Sequence, residues 1–106
     1  MRTQPVEFLD YVEFDLRQAH AFYDSWQTLG AQKFQAKFRD AIAWIEWNPE
    51  LFPKKYRLFR RVIIRKSYFG IYYVIEPSVT VVVAVLDLRR DPRAVRQMST
   101  LRIDQR

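Results

Sequence analysis

TVVVAVLDLRRDP, residues 80–92, decides how the chain is read: a run of β-branched and apolar residues leads directly into an arginine pair and stops at a proline. Both alternating sets of Val79–Leu88 are apolar, so the strand has cover on both faces and a central place in a sheet. A central strand that ends in Arg89 and Arg90 aims cations at whatever its neighbours border. Alternation also sends the two to opposite faces. Val81, Val83, Val85 and Asp87 go with Arg89, and Val82, Ala84, Leu86 and Leu88 go with Arg90. The second set reads as the better candidate for a helix-covered core. That predicts Arg89 on an open face beside Asp87 and Arg90 at the edge of the helical layer. A purely structural role competes: either arginine could pair with Asp87 or Asp91 and anchor the C-terminal segment.

Upstream of this strand the period changes twice. Arg60–Ile64 and Phe69–Ile75 read as two further strands, with Lys66-Ser67 and Pro77-Ser78 as turns. Within Phe69–Ile75, Ile71, Tyr73 and Ile75 share one face while Tyr72 and Val74 share the other. Before Pro49-Glu-Leu-Phe-Pro53 the spacing is helical. Asp10-Tyr-Val-Glu13 has the form of a capping box, and Val12, Leu16, Ala19, Tyr23 and Trp26 follow as one stripe. Gly30 suits a helix end, and Phe34, Phe38, Ala41 and Ile45 restart the stripe until Asn48-Pro49 stops it. Asp15, Arg17, Asp24, Lys33, Lys37, Arg39 and Asp40 fall on the outer, solvated faces. Val6–Leu9 reads as an additional edge strand. The expectation is one α+β domain over residues 1–106: an antiparallel helix hairpin packed on one face of a small antiparallel sheet.

Composition bounds the function. The 106 residues are 49% hydrophobic and 16% aromatic, which suits a folded domain. The absence of cysteine excludes disulfides and leaves a metal only His20 and carboxylates, so no metal or cofactor is expected. The longest apolar run, Val81–Leu86, is far below the ~20 residues that cross a bilayer, and no signal-peptide core opens the chain, so a soluble, cytoplasmic protein is expected. The net charge of +6 is concentrated: residues 1–53 carry net −3 and residues 54–106 net +9. That half favours encounter with anionic partners, or serves solubility alone.

The sites follow from those patterns. Arg61, Arg65 and Lys66, beside an outward Tyr72, predict a concave basic surface interleaved with tyrosine. His20 reads as a boundary residue of the first helix. Trp44 and Trp47 fall partly off the apolar stripe, which allows one of them to line a groove for a partner.

In order along the chain, Ala19-His-Ala-Phe-Tyr23, Gly30 with Phe34, Asn48-Pro-Glu-Leu-Phe-Pro53, Arg60-Arg61, Tyr68-Phe-Gly-Ile-Tyr-Tyr-Val74 and Ala84-Val-Leu-Asp-Leu-Arg-Arg-Asp-Pro92 resemble the ParE/RelE superfamily of toxins from bacterial toxin–antitoxin pairs, which includes plasmid stabilisation proteins. The resemblance spans about Phe8 to Pro92. It implies a toxin neutralised by a cognate acidic antitoxin, as a dimer or as a heterotetramer with it, and no membrane. It implies as target DNA gyrase, blocked by binding, or the ribosome and its mRNA, cleaved as RelE-type endonucleases do. Arg60, Arg61, Arg65, Lys66, Tyr72, Asp87, Arg89 and Arg90 are then the candidates for target or antitoxin binding. Members of the group commonly carry a histidine where this chain has Asp87, and no tyrosine follows Tyr73. RNA cleavage needs a base, an acid and cations at the phosphate. Arg61, Arg65, Asp87 and Arg89 would be the nuclease set, with Glu76 or a tyrosine as other bases. The departure at Asp87 favours a non-enzymatic inhibitor. A family member without toxicity is a third reading.

Overall fold

A computed structural model describes residues 3–105. The elements run β1 (Val6–Phe8), α1 (Tyr11–Trp26), α2 (Gly30–Trp47), a single 3-10 turn (Pro49–Leu51), β2 (Lys54–Tyr56), β3 (Phe59–Ile63), β4 (Phe69–Ile75), β5 (Thr80–Asp87) and α3 (Pro92–Asp104). The sheet order is β1-β5-β4-β3-β2. The expected α+β arrangement holds, with one correction to the sheet: β1 runs parallel to β5, so the sheet is mixed and not wholly antiparallel. A chain that passes through two helices between β1 and the meander has the length to make a parallel pair.

The hairpin turns for reasons other than those read in the sequence. Leu29, and not Gly30, is the left-handed residue, at φ 57°. Gly30 opens α2, and a Cβ there would lie 1.9 Å from the Tyr23 carbonyl oxygen, so glycine lets the two helices meet at their tight connection. Asp24 Oδ1 accepts a hydrogen bond from Ala31 N–H at 2.8 Å, satisfying a donor at the start of α2. Asp10 makes no side-chain cap, so the capping box does not form.

Both faces of the sheet are covered. On the hairpin side, Val12, Ala19, Tyr23, Phe34, Phe38 and Ile45 pack on Val62, Phe69, Ile71, Tyr73, Val82 and Val85. On the other side, Phe59, Tyr72, Val74, Val81, Val83, Ala84 and Leu86 pack with Val95 of α3. The expectation of an open face bearing Tyr72 is therefore overturned: Tyr72 is only 4% exposed, beneath α3. Strict alternation along β5 fails as well. Tyr72 pairs with Ala84 and Tyr73 with Val82, so Val83 is the extra residue of a β-bulge and lies on the same side as Ala84.

Helix α3 was hidden by reading Pro92 only as a strand stop. Asp91 Oδ1 accepts from Arg93 N–H at 2.9 Å and Pro92 occupies the first turn, which is a regular helix start. Its Arg102 reaches through to α1. The guanidinium donates to both oxygens of Asp15, at 2.6 and 2.9 Å, and to the Val83 carbonyl at 3.2 Å, while Val85 N–H donates to Asp15 at 3.0 Å. Asp15 is thus buried, at 3% exposure, and does not belong to the solvated face assigned to it from the sequence.

Candidate functional site

The bulge at Val83 exchanges the faces of the two arginines. Asp87 pairs with Phe69, whose ring lies in the hairpin-side core, so Asp87 and Arg89 emerge on the hairpin side. The Arg89 guanidinium lies 4.2 Å from the centre of the Tyr68 ring and 5.2 Å from that of Phe22. Its Nε and Nη2 donate to the Asp87 carboxylate, the shortest contact being 2.6 Å, and its backbone N–H adds a bond of 2.9 Å. Those bonds from Arg89 hold the Asp87 carboxyl below its ordinary range. Arg89 does stand beside Asp87, but against the helical layer, whereas Arg90 faces the α3 side.

Arg90 opens into a cleft of about 330 Å³. Lys55 of β2, Arg61 of β3, Arg90 and Arg96 of α3 line it, with Tyr56, Tyr72, Leu88, Pro92 and Val95 as apolar walls. Four separate elements thus deliver four cations to one concavity, and among the described residues no ion pair involves any of them. Arg96 lies over the Tyr56 ring at 5.5 Å, and burial raises the Tyr56 hydroxyl above its ordinary pKa. The stem of Arg61 crosses the strand at Gly70, where a Cβ would meet Leu88 at 2.9 Å and Arg61 at 3.3 Å. The glycine lets the cleft floor lie flat on the sheet. Unopposed cations in a partly apolar depression give a site for anionic groups.

The predicted residues divide accordingly. Arg61, Tyr72 and Arg90 meet in the cleft, and Asp87 with Arg89 closes on itself behind it. Arg60 is elsewhere: it donates to the Phe52 and Glu50 carbonyls at 2.6 and 3.3 Å, pinning the segment after α2. Arg65 stands 3.8 Å from Asp40 on the exposed β3–β4 connection, and Lys66 is the left-handed residue of that turn, at φ 54°. Lys55 and Arg96 were missed. β2 is a three-residue edge strand with no period to read, and Arg96 could have been found by recognising the helix that Asp91-Pro92 begins.

A second, more apolar groove of about 510 Å³ lies between α2 and β3. Trp44, Leu51, Phe52, Val62 and Ile63 line it, with Lys37, Asp40 and Arg65 at its rim, so Trp44 does border a groove. Trp47 stands edge-on to Trp44 at 5.6 Å. His20 is a boundary residue, hydrogen-bonded to Gln35 at 2.7 Å.

The family of ParE toxins of type II toxin–antitoxin systems, parDE, matches residues 6–92, from β1 to the first residue of α3. The chain belongs to this family. No curated protein matches it. As a ParE-family toxin it has an antitoxin as partner, and the match includes Arg61, Tyr72 and Arg90 of the cleft while leaving all but the first residue of α3 outside. Among the described residues no helix is long and apolar enough to cross a membrane.

Proposed function

We propose that this toxin arrests growth by binding an essential cytoplasmic target, DNA gyrase, through the basic cleft, and not by cutting RNA. The observation that carries the reading is the contrast between the cleft and its neighbour. Among the described residues Lys55, Arg61, Arg90 and Arg96 make no ion pair, whereas Asp87, at the position where the family resemblance commonly puts a histidine, is held on both oxygens by Arg89. A carboxylate fixed in that way is a poor acceptor for a 2′-hydroxyl proton. The other candidate bases are no better placed. Glu76 follows β4 at the end remote from Asp87, and Tyr73 is fully buried on the hairpin side of the sheet, away from the cleft, where burial pushes its hydroxyl up to about 12.

The antitoxin is assigned to the apolar groove beside α2. Lys37 and Arg65 at its rim suit acidic side chains, and Trp44, Leu51 and Ile63 suit the apolar stripe of an amphipathic segment.

Purified toxin added to a gyrase supercoiling reaction, and separately to translating ribosomes, tests the reading. Inhibited supercoiling with intact mRNA is the expected result. Cleaved ribosome-bound mRNA with normal supercoiling would establish the RelE-type activity instead.

A further inference from the structure

The hairpin connection and the β3–β4 turn meet at one end of the molecule, where Tyr68 N–H donates to the Tyr23 hydroxyl at 2.9 Å. Around that contact the surface is unusually apolar and aromatic. Trp26 is 62% exposed, Leu29 56% and Tyr68 39%. The rings are contiguous: Phe22 stacks on Trp26 at 6.1 Å, Trp26 lies 6.1 Å from Tyr68, and the Arg89 guanidinium lies within 4.2 Å of the Tyr68 ring centre and 5.2 Å of that of Phe22. Of the three non-glycine residues with positive φ among the described residues, two, Leu29 and Lys66, occupy these two turns. A leucine held left-handed with its side chain in solvent is strained without gaining burial, a combination that favours function over stability.

We infer that this tip, centred on Trp26, Leu29, Tyr68 and Arg89, is the protein-binding hot spot through which the toxin grips its target, and that it takes an apolar pocket rimmed by carboxylates. The inference rests on the reading of the toxin as a binding inhibitor, and it places a second contact beside the basic cleft, joined to it through the neighbouring residues Arg89 and Arg90. The charge distribution selects this occupant. At the centre, Asp87 cancels the Arg89 charge, leaving a neutral aromatic surface. Lys66 and Arg90, which make no ion pair among the described residues, supply a positive rim. An apolar, aromatic centre that includes an arginine, with charge at the edge, is the anatomy of a protein interface. A single-stranded nucleic acid instead wants unpaired cations interleaved with the rings.

The test uses the full chain with Trp26→Ala, Leu29→Gly and, as a control at an exposed aromatic residue of α1 outside both grooves, Phe14→Ala. Growth arrest on induction, inhibition of purified gyrase and thermal melting are read for each. Trp26→Ala and Leu29→Gly are expected to need at least about tenfold more toxin for equal arrest and equal gyrase inhibition, as loss of interface anchors does. Leu29→Gly should melt no lower than the parent, because glycine accepts the left-handed backbone without strain. Phe14→Ala should arrest growth as the parent does. Arrest by the parent with gyrase unaffected would remove gyrase as the target, and the same tenfold loss of arrest in the two tip variants would still uphold the tip. Full arrest by both tip variants would overturn it. So would weaker binding of a single-stranded oligonucleotide by Trp26→Ala, which would make the tip a base-stacking platform.

Discussion

Asp15 of α1 and Arg102 of α3 form a bidentate ion pair across the edge of β5, at 2.6 and 2.9 Å, both residues being less than a tenth exposed. The pair stands where β1 has ended. Leu9 N–H takes the Val82 carbonyl, and the next groups on that edge, Val83 C=O and Val85 N–H, are taken by Arg102 and Asp15. It therefore satisfies backbone that would otherwise be buried without partners, and seats α3 over Tyr72 and the cleft.

Asp15→Ala should accordingly destabilise the fold by about 3–5 kcal/mol, because it leaves a buried guanidinium without its anion and strands Val85 N–H. The double change Asp15→Leu with Arg102→Met should recover much of that loss. Denaturant melts of the parent and the two variants check both statements.

Tyr72 and Tyr73 are adjacent but packed in different cores. Tyr73 donates to the Pro49 carbonyl at 2.6 Å from a fully buried site. Tyr73→Phe should cost about 1–3 kcal/mol, through the orphaned carbonyl. Tyr72→Ala should cost about 3–5 kcal/mol, as removal of a buried aromatic does. Thermal unfolding distinguishes this from the surface role that alternation alone would assign to Tyr72, in which the second change would leave stability nearly intact.

The hairpin, the three meander strands and the edge position of β1 were legible because each carries its own period: 4-3-4 in the helices, β-branched runs in the strands. The face of Arg89 was not. Alternation counts residues, and the bulge at Val83 adds one that no propensity marks, so every assignment beyond it moved to the other side of the sheet. Asp15 was misread for a related reason. A carboxylate on a helix looks solvated until its partner, 87 residues away on a helix read only as a tail, is in view. The cleft was half visible, since Arg61 and Arg90 belong to strands with clear patterns, while Lys55 and Arg96 lie on elements too short or too polar to show one.

The Asp87–Arg89 pair gives a pH signature. The folded carboxyl sits below its ordinary value of 3.8 because of its bonds to Arg89. Its contribution to stability is therefore present above that value and is lost as pH falls through the lower, folded pKa. Asp87→Asn should flatten the acid limb of stability in that window and leave the neutral range little changed. Thermal melts of parent and variant between neutral and strongly acid pH read the difference.

The central claim is that the cleft acts by binding anionic groups of its target. The direct measurement is gyrase supercoiling titrated with parent toxin, Arg61→Gln and Arg90→Gln at low and high salt, with ribosome-bound mRNA followed in parallel. The account predicts inhibition by the parent that weakens as salt rises, at least tenfold weaker inhibition by each folded variant, in line with loss of a charged contact worth about 1.5–3 kcal/mol, and intact mRNA throughout. Supercoiling indifferent to the parent, with mRNA cut by the parent and spared by the variants, would contradict it.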